Sequence, residues 1–243
     1  WLSPEDFMAW GWRLPFLASV VLVGIGLWVR IKLTETPDFK AALAEAPPPP
    51  VPLGEVTQRH LGVLVAGTFG VIACFAIYYL STAFALGYGT ANLGYDRTQF
   101  LAVQLVAILF MAGGIVAAGI LSDRHDPRSV LMGGCVAGVA AGFLLAPMME
   151  SGGLLQVGAF LAIGLAVMGF VYGPLGAWLP GLFPARVRYT GVSIAFNMGG
   201  ILGGGLTPIF AQILADHGGL MLVGLYLSVA CGLSFIALAT VRR

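Results

Sequence analysis

Seven stretches of the chain stay apolar long enough to cross a lipid bilayer, and polar residues gather between them. Their approximate limits are 14–29, 61–86, 99–121, 129–147, 154–182, 190–214 and 220–240. A bilayer core takes about 20 helical residues to cross. The first stretch is the shortest and lies between Arg13 and Arg30. The pattern predicts an all-α membrane protein with seven transmembrane helices. Composition agrees: 58% of residues are hydrophobic and 9% charged, against about 25% charged in a soluble domain. The formal net charge of +1 points to no nucleic-acid partner. Cys74, Cys135 and Cys231 all fall in apolar runs, where thiols are packed and inert.

The loops predict an orientation. Arg30, Lys32, Lys40, Arg59, Arg124, Arg128, Arg186, Arg188, Arg242 and Arg243 fall on one side, and only Arg13 and Arg97 on the other. The positive-inside rule puts the first group, and the C-terminus, in the cytoplasm. An odd number of spans then puts Trp1 outside. The first residues lack a signal-peptide pattern and an initiator Met, so the chain reads as a piece of a longer protein with helices upstream.

Residues 1–30 read as an outer loop and one helix belonging to a preceding bundle. Residues 31–60, with prolines at 47–50 and 52, read as an extended cytoplasmic linker. Residues 61–243 read as a six-helix bundle, whose spans divide into two inverted sets of three. Gly134, Gly138 and Gly142 share one helix face and invite a close neighbour. The glycine-rich stretch Gly199, Gly200, Gly203, Gly204 and Gly205 offers a matching surface.

Candidate chemistry is sparse. Every carboxylate falls in a loop or at a helix end, so this stretch is not expected to hold an intramembrane ion relay. No lysine follows Lys40, which argues against a retinal protein. No mid-membrane His activates a serine, and no phosphate loop or metal-ligand cluster appears. Enzyme, cofactor and metal are therefore not expected. Neutral polar and aromatic groups remain: Tyr78 and Tyr79, Gln104, Tyr172 and Asn197, which can orient a small polar solute or bond between helices. Adjacent tyrosines point about 100° apart on a helix, so one of the pair faces a cavity. Gly173, Pro174 and Pro180 interrupt the fifth span, and a proline without its N–H makes a hinge or a fixed kink. In the loop Gly119–Arg128, Asp123 follows a helix C-terminus, where an acid needs a cation. Arg186 or Arg188 can supply it, and Arg124 and Arg128 add charge.

Several of these segments resemble one family. Gly119-Ile120-Leu121-Ser122-Asp123-Arg124 is similar to the loop motif of the major facilitator superfamily. Gly11-Trp12-Arg13-Leu14-Pro15-Phe16, Glu35-Thr36-Pro37, Tyr172-Gly173-Pro174, the run from Leu182 to Gly191 and the glycines from Gly199 to Gly205 resemble its metabolite:proton symporter branch. The resemblance implies helices six to twelve, the C-terminal part of a twelve-helix fold. The partners it implies are a small-molecule substrate, protons, membrane lipid and the missing N-terminal helices of the same polypeptide. Organic acids, betaines and amino acids are the substrates of that branch, carried across the bacterial inner membrane by alternating access. It further implies that helices seven, eight, ten and eleven line the cavity, which are the spans carrying Tyr78, Gln104, Tyr172 and Asn197. Asp123, Arg124, Arg128, Arg186 and Arg188 would then form a cytoplasmic gate, Arg188 meeting an acid of the missing half. Two departures stand out: His125-Asp126-Pro127-Arg128 replaces a glycine and basic pair, and Gly181 stands where the family often has Glu. A non-transporting seven-helix scaffold is the alternative.

Overall fold

The computed structural model describes residues 3–32, 52–150 and 153–241. The sequence features at Glu35–Pro37, Lys40, the prolines at 47–50, Arg242 and Arg243 lie outside the described residues. The chain divides into two compact units, Trp1–Pro47 and Pro48–Arg243.

In the first unit, α1 (Pro4–Ala9) starts at Ser3, whose hydroxyl accepts the Asp6 N–H. It leads into α2 (Gly11–Lys32), which is apolar on all sides and buries none of its span window. A helix hydrophobic all round is suited to lipid.

In the second unit, α3 (Pro52–Arg59) is followed by α4 (Leu61–Ala91), α5 (Arg97–Ser122), α6 (Pro127–Glu150) and α7 (Leu154–Leu182). The last apolar run, Arg188–Thr240, has 53 residues. As one helix it would be about 80 Å long, far more than a bilayer core. It breaks at Gly218 and Gly219, where Gly219 has φ 71°, a conformation that favours glycine. The run is therefore two crossings, α8 (188–217) and α9 (220–240). Glu150 from the end of α6 accepts the Leu220 N–H at 3.2 Å and caps α9. With α2, the described chain has seven crossings, as the hydropathy pattern predicts. Several reach a turn beyond the apolar stretches that mark them.

Glycine decides how the crossings pack. A Cβ on Gly138 would stand 2.6 Å from the Cys231 sulfur, and one on Gly142 would stand 2.5 Å from the Gly224 carbonyl oxygen. Gly134 faces Val171. So the Gly134–Gly138–Gly142 face packs inside the bundle, but on α7 and α9 rather than on the glycines of α8. Those glycines close on α4: a Cβ on Gly199 would stand 2.8 Å from the Thr68 carbonyl oxygen, and one on Gly203 2.6 Å from that of Ile72. The periodicity marks a small-residue face without naming its partner. A third seam joins α5 and α7, where Gly114, Gly169 and Gly173 sit against backbone. Between the seams lies one core, with Ile77 and Leu80 of α4, Leu161 and Leu165 of α7 and Leu227 of α9 buried.

Residues 52–60, expected as extended linker, include the helix α3. Pro52 occupies its first turn, where no N–H is needed. Val56 is fully buried, and Glu55 is mostly buried. Two turns are too short for a period to be read, and one buried valine carries the docking.

Candidate functional site

The interruptions of the helices, rather than their regular parts, organise the polar side chains. In α4 there are two. The first lies at Val71, whose backbone leaves the regular helix (φ −95°, ψ −8°). There the Ser234 hydroxyl of α9 donates to the Phe69 carbonyl at 2.7 Å and accepts the Ala73 N–H at 2.9 Å. Residues 69 and 73 are an i, i+4 pair, so the serine stands inside the helical ladder in place of its own bond. The second is a π turn, Leu80–Phe84. Gln104 of α5 is buried beside it, and its amide nitrogen donates to the Ser81 carbonyl at 3.1 Å and to the Thr82 carbonyl at 2.9 Å. Thr82 in turn donates to the Tyr78 carbonyl at 2.6 Å.

Between these two points lie Tyr78 and Tyr79, both half-buried, their rings 5.5 Å apart and nearly perpendicular. The Tyr79 ring covers Gly204 of α8, so packing occupies it. Gly204 belongs to a second π turn, Ile201–Gly205, closed by the Leu206 N–H on the Ile201 carbonyl at 3.1 Å. Thr207 comes next, bonded to the Gly203 carbonyl at 2.6 Å and to the Tyr226 hydroxyl at 2.8 Å.

A cavity of about 270 Å³ lies between α5, α7 and α8, lined by Ile115, Tyr172, Gly173, Gly176, Pro180 and Phe196 among others. Tyr172 is 43% exposed. The backbone stays right-handed helical through Gly173 (φ −52°, ψ −52°) and Pro174 (φ −73°, ψ −14°), but the regular ladder loosens there, where Pro174 has no N–H to give, and Leu175–Trp178 is followed by a tight turn at Pro180–Leu182. The interruption that the sequence predicts is thus part of the cavity wall. Asn197 is the next residue after Phe196 on α8. It is exposed and donates to the Ser193 carbonyl at 2.8 Å. The candidate residues fall into two sets: Tyr78, Tyr79 and Gln104 on α4 and α5, and Tyr172 and Asn197 near the cavity. The Phe75 and Phe196 rings, 5.0 Å apart, bridge α4 and α8 between them.

The basic loops take other roles than a mutual latch. Arg186 pairs with Glu55 of α3, and His60 lies 4.0 Å from the same carboxylate. Arg188 donates to the Phe183 carbonyl at 3.3 Å. Arg128 donates to the Leu238 and Ala239 carbonyls at 2.6 and 2.9 Å, capping the end of α9. Asp123 and Arg124 are exposed, and Asp123 makes no ion pair among the described residues. The Asp123 pairing with Arg186 or Arg188 expected from the sequence is therefore absent here, because a closer carboxylate on the unforeseen helix α3 takes Arg186. The described carboxylates all sit at helix ends or in loops, as Asp96 does in capping α5 through the Gln99 N–H at 3.0 Å. Among the described residues no group of His, Cys, Asp and Glu is placed to hold a metal ion.

A family model described as Major Facilitator Superfamily matches residues 7–208, which is most of the chain. The chain belongs to the major facilitator superfamily. Curated relatives agree. The inner membrane metabolite transport protein YhjE of Escherichia coli is 39% identical over 98% of this chain and 55% of its own length. The shikimate transporter of Escherichia coli is 31% identical over 96% of this chain and 54% of its own length. The proline/betaine transporter of Salmonella typhimurium is 28% identical over 97% of this chain and 49% of its own length. No solved structure matches. The chain spans about half the length of the curated relatives it matches, so the helices described form a partial major facilitator fold in an integral membrane protein. Membership places it in a family of transport proteins, not enzymes.

Two residues that the sequence pattern does not single out, Ser234 and Glu55, hold central contacts. Ser234 has a signal, as a hydroxyl in mid-span. Glu55 has none, since its partner lies 131 residues away in the chain.

Proposed function

We propose that this chain is the C-terminal part of a secondary active transporter that carries a small organic solute by alternating access. The observation that supports this best is the cavity walled by Tyr172 and by the interrupted stretch of α7 from Gly173 to Pro180. A solute site beside a stretch of helix weakened by Gly173 and Pro174 links binding to bending, because a helix that lacks a backbone bond there can bend at little cost. Tyr172 and Asn197 offer a phenol and an amide as neutral recognition groups, and Tyr78 a second phenol. The relatives' names point to metabolites, shikimate, or proline and betaine as the class. With carboxylates confined to helix ends here, the proton site belongs to the helices of the other half, and transport is proton symport.

The basic loops face the cytoplasm of a bacterial inner membrane, as does the C-terminus, by the positive-inside rule. Residues 1–30 close the N-terminal bundle, 31–60 join the bundles, and 61–243 form the C-terminal one. The test is uptake by the complete polypeptide in proteoliposomes. Labelled shikimate, proline and glycine betaine would be offered with and without an inward proton gradient. Uptake of one solute that a protonophore abolishes supports the reading. Uptake that ignores the gradient removes symport, and no uptake of any solute leaves a scaffold.

A further inference from the structure

The stretch of α4 between its two interruptions is held at each end by a polar side chain from another helix. At one end Ser234 replaces the bond between Phe69 and Ala73. At the other, Gln104 holds the Ser81 and Thr82 carbonyls of the π turn. Both side chains are buried. A regular α4 would need neither group, since an α-helix satisfies its own backbone in lipid. A buried amide or hydroxyl is costly in such surroundings unless bonded. The chain thus carries two polar groups whose bonds serve to keep α4 irregular. A π turn adds one residue to a helical turn and so rotates the residues before it relative to those after it. Opening one bond at Val71 shifts the same stretch from the other side. Between the two points lies Ile72–Tyr79, and it carries Tyr78 and Tyr79 at its end.

We propose that Gln104 and Ser234 are positioning residues that set the direction of Tyr78 towards the solute and hold Tyr79 on α8. This rests on the transport reading for its consequence, but not for its geometry. The Tyr79 ring on Gly204 passes the same setting to the π turn of α8, which lies one turn beyond Asn197. Neither residue needs to touch the solute. Gln104 in particular, whose amide nitrogen already has two carbonyl partners, acts through α4.

Two variants of the complete protein test this. Gln104→Met keeps the volume and removes the donor. Ser234→Ala removes the inserted hydroxyl and lets the Ala73 N–H return to the Phe69 carbonyl. A purely structural serine would leave a less stable protein when removed. A positioning serine leaves a protein that melts within a degree or two of wild type and has an altered site. The expected results are a KM at least fivefold higher for the labelled solute that wild type takes up, with maximal rate within twofold, in both variants. Amide hydrogen exchange gives a readout that needs no solute. Gln104→Met should speed exchange at least tenfold in the peptide covering Leu80–Ala85, while Val130–Cys135 of α6 stays unchanged. Ser234→Ala should slow exchange at Ala73. Unchanged exchange in both variants overturns the proposal. So does changed exchange with unchanged KM, because the irregular stretch would then be held without bearing on the site. If wild type takes up nothing, the transport reading fails by itself, and the exchange results alone decide whether these two groups hold α4.

Discussion

Two seams of the bundle are built from the same material and differ in what surrounds it. Between α6 and α9, Gly142 and Gly224 lie backbone to backbone, and Ser228 donates to the Val139 and Gly224 carbonyls at 3.0 and 3.1 Å. Neither helix carries a π turn along this contact, and the proline inside α6, Pro147, lies beyond Gly142. Between α4 and α8, Gly199 and Gly203 approach the carbonyls of Thr68 and Ile72 as closely, but each helix carries a π turn, and α4 is opened again by Ser234. Glycine in a membrane helix permits proximity. Whether the seam is then fixed or adjustable depends on the regularity of the two helices, not on the glycines. On the transport reading proposed above, α6 and α9 are the frame, and α4 and α8 are the part that re-forms.

The sharpest way to break that comparison is to overfill each seam. Gly142→Ala puts a methyl against Gly224 and Ser228 with no irregular turn to absorb it. Overpacking of this kind costs about 1–3 kcal/mol, so the detergent-purified complete protein should melt several degrees lower. Gly133→Ala, on the same helix with nothing within 4 Å of the new atom, should be neutral or slightly stabilising, by up to about 1 kcal/mol. Equal melting of the two variants would show that α6 and α9 are not closely held.

Gly203→Ala is the matching change in the other seam. Its methyl would stand 2.6 Å from the Ile72 carbonyl oxygen. The π turn of which Gly203 is a part can shift, so the loss of stability should be smaller, under about 1 kcal/mol on the scale of a single small-to-large change. Uptake should fall further than in Gly142→Ala at matched protein amounts. If Gly203→Ala melts as low as Gly142→Ala and transports as well, the two seams do not differ.

The sequence was informative where an argument needs only one helix. Seven crossings, the weakened helix at Gly173 and Pro174, the placement of carboxylates at helix ends and the small-residue face of α6 are properties of single segments, read from hydropathy, proline chemistry and spacing. It was uninformative about pairing. The α6 glycines met α7 and α9 and not α8, and Arg186 met Glu55 and not Asp123. Such pairs are set by how helices are ordered around the bundle, and no local pattern encodes that order. Gln104 lies between: its burial with partners comes from the cost of an amide in lipid, but that its partners are the carbonyls of a π turn requires the fold.

The basic loop extends the comparison to the end of the bundle. Arg186 lies in the loop between α7 and α8, and Glu55 ties it to α3. Removing one member of a charged, mostly buried hydrogen bond costs about 1.5–3 kcal/mol locally. Glu55→Gln should therefore loosen this loop while leaving the frame intact. Trypsin cleavage after Arg186 and Arg188 should become several-fold faster, with little change in the melting of the whole. Cleavage at the wild-type rate would mean that α3 does not restrain the loop.

Asn197 gives the smallest expected change in stability and thereby separates recognition from architecture. Ser228, on the frame, is buried and bonds two carbonyls, so Ser228→Ala should cost about 1 kcal/mol. Asn197 is exposed and bonds only its own helix at the Ser193 carbonyl, so Asn197→Ala should lie within about 0.5 kcal/mol of wild type. If the amide recognises the solute, uptake by Asn197→Ala falls several-fold through KM, while Ser228→Ala transports normally for each folded molecule. The opposite pattern, with Asn197→Ala transporting as wild type, would make that amide a surface group of α8. Recognition on this half would then rest on the tyrosines alone.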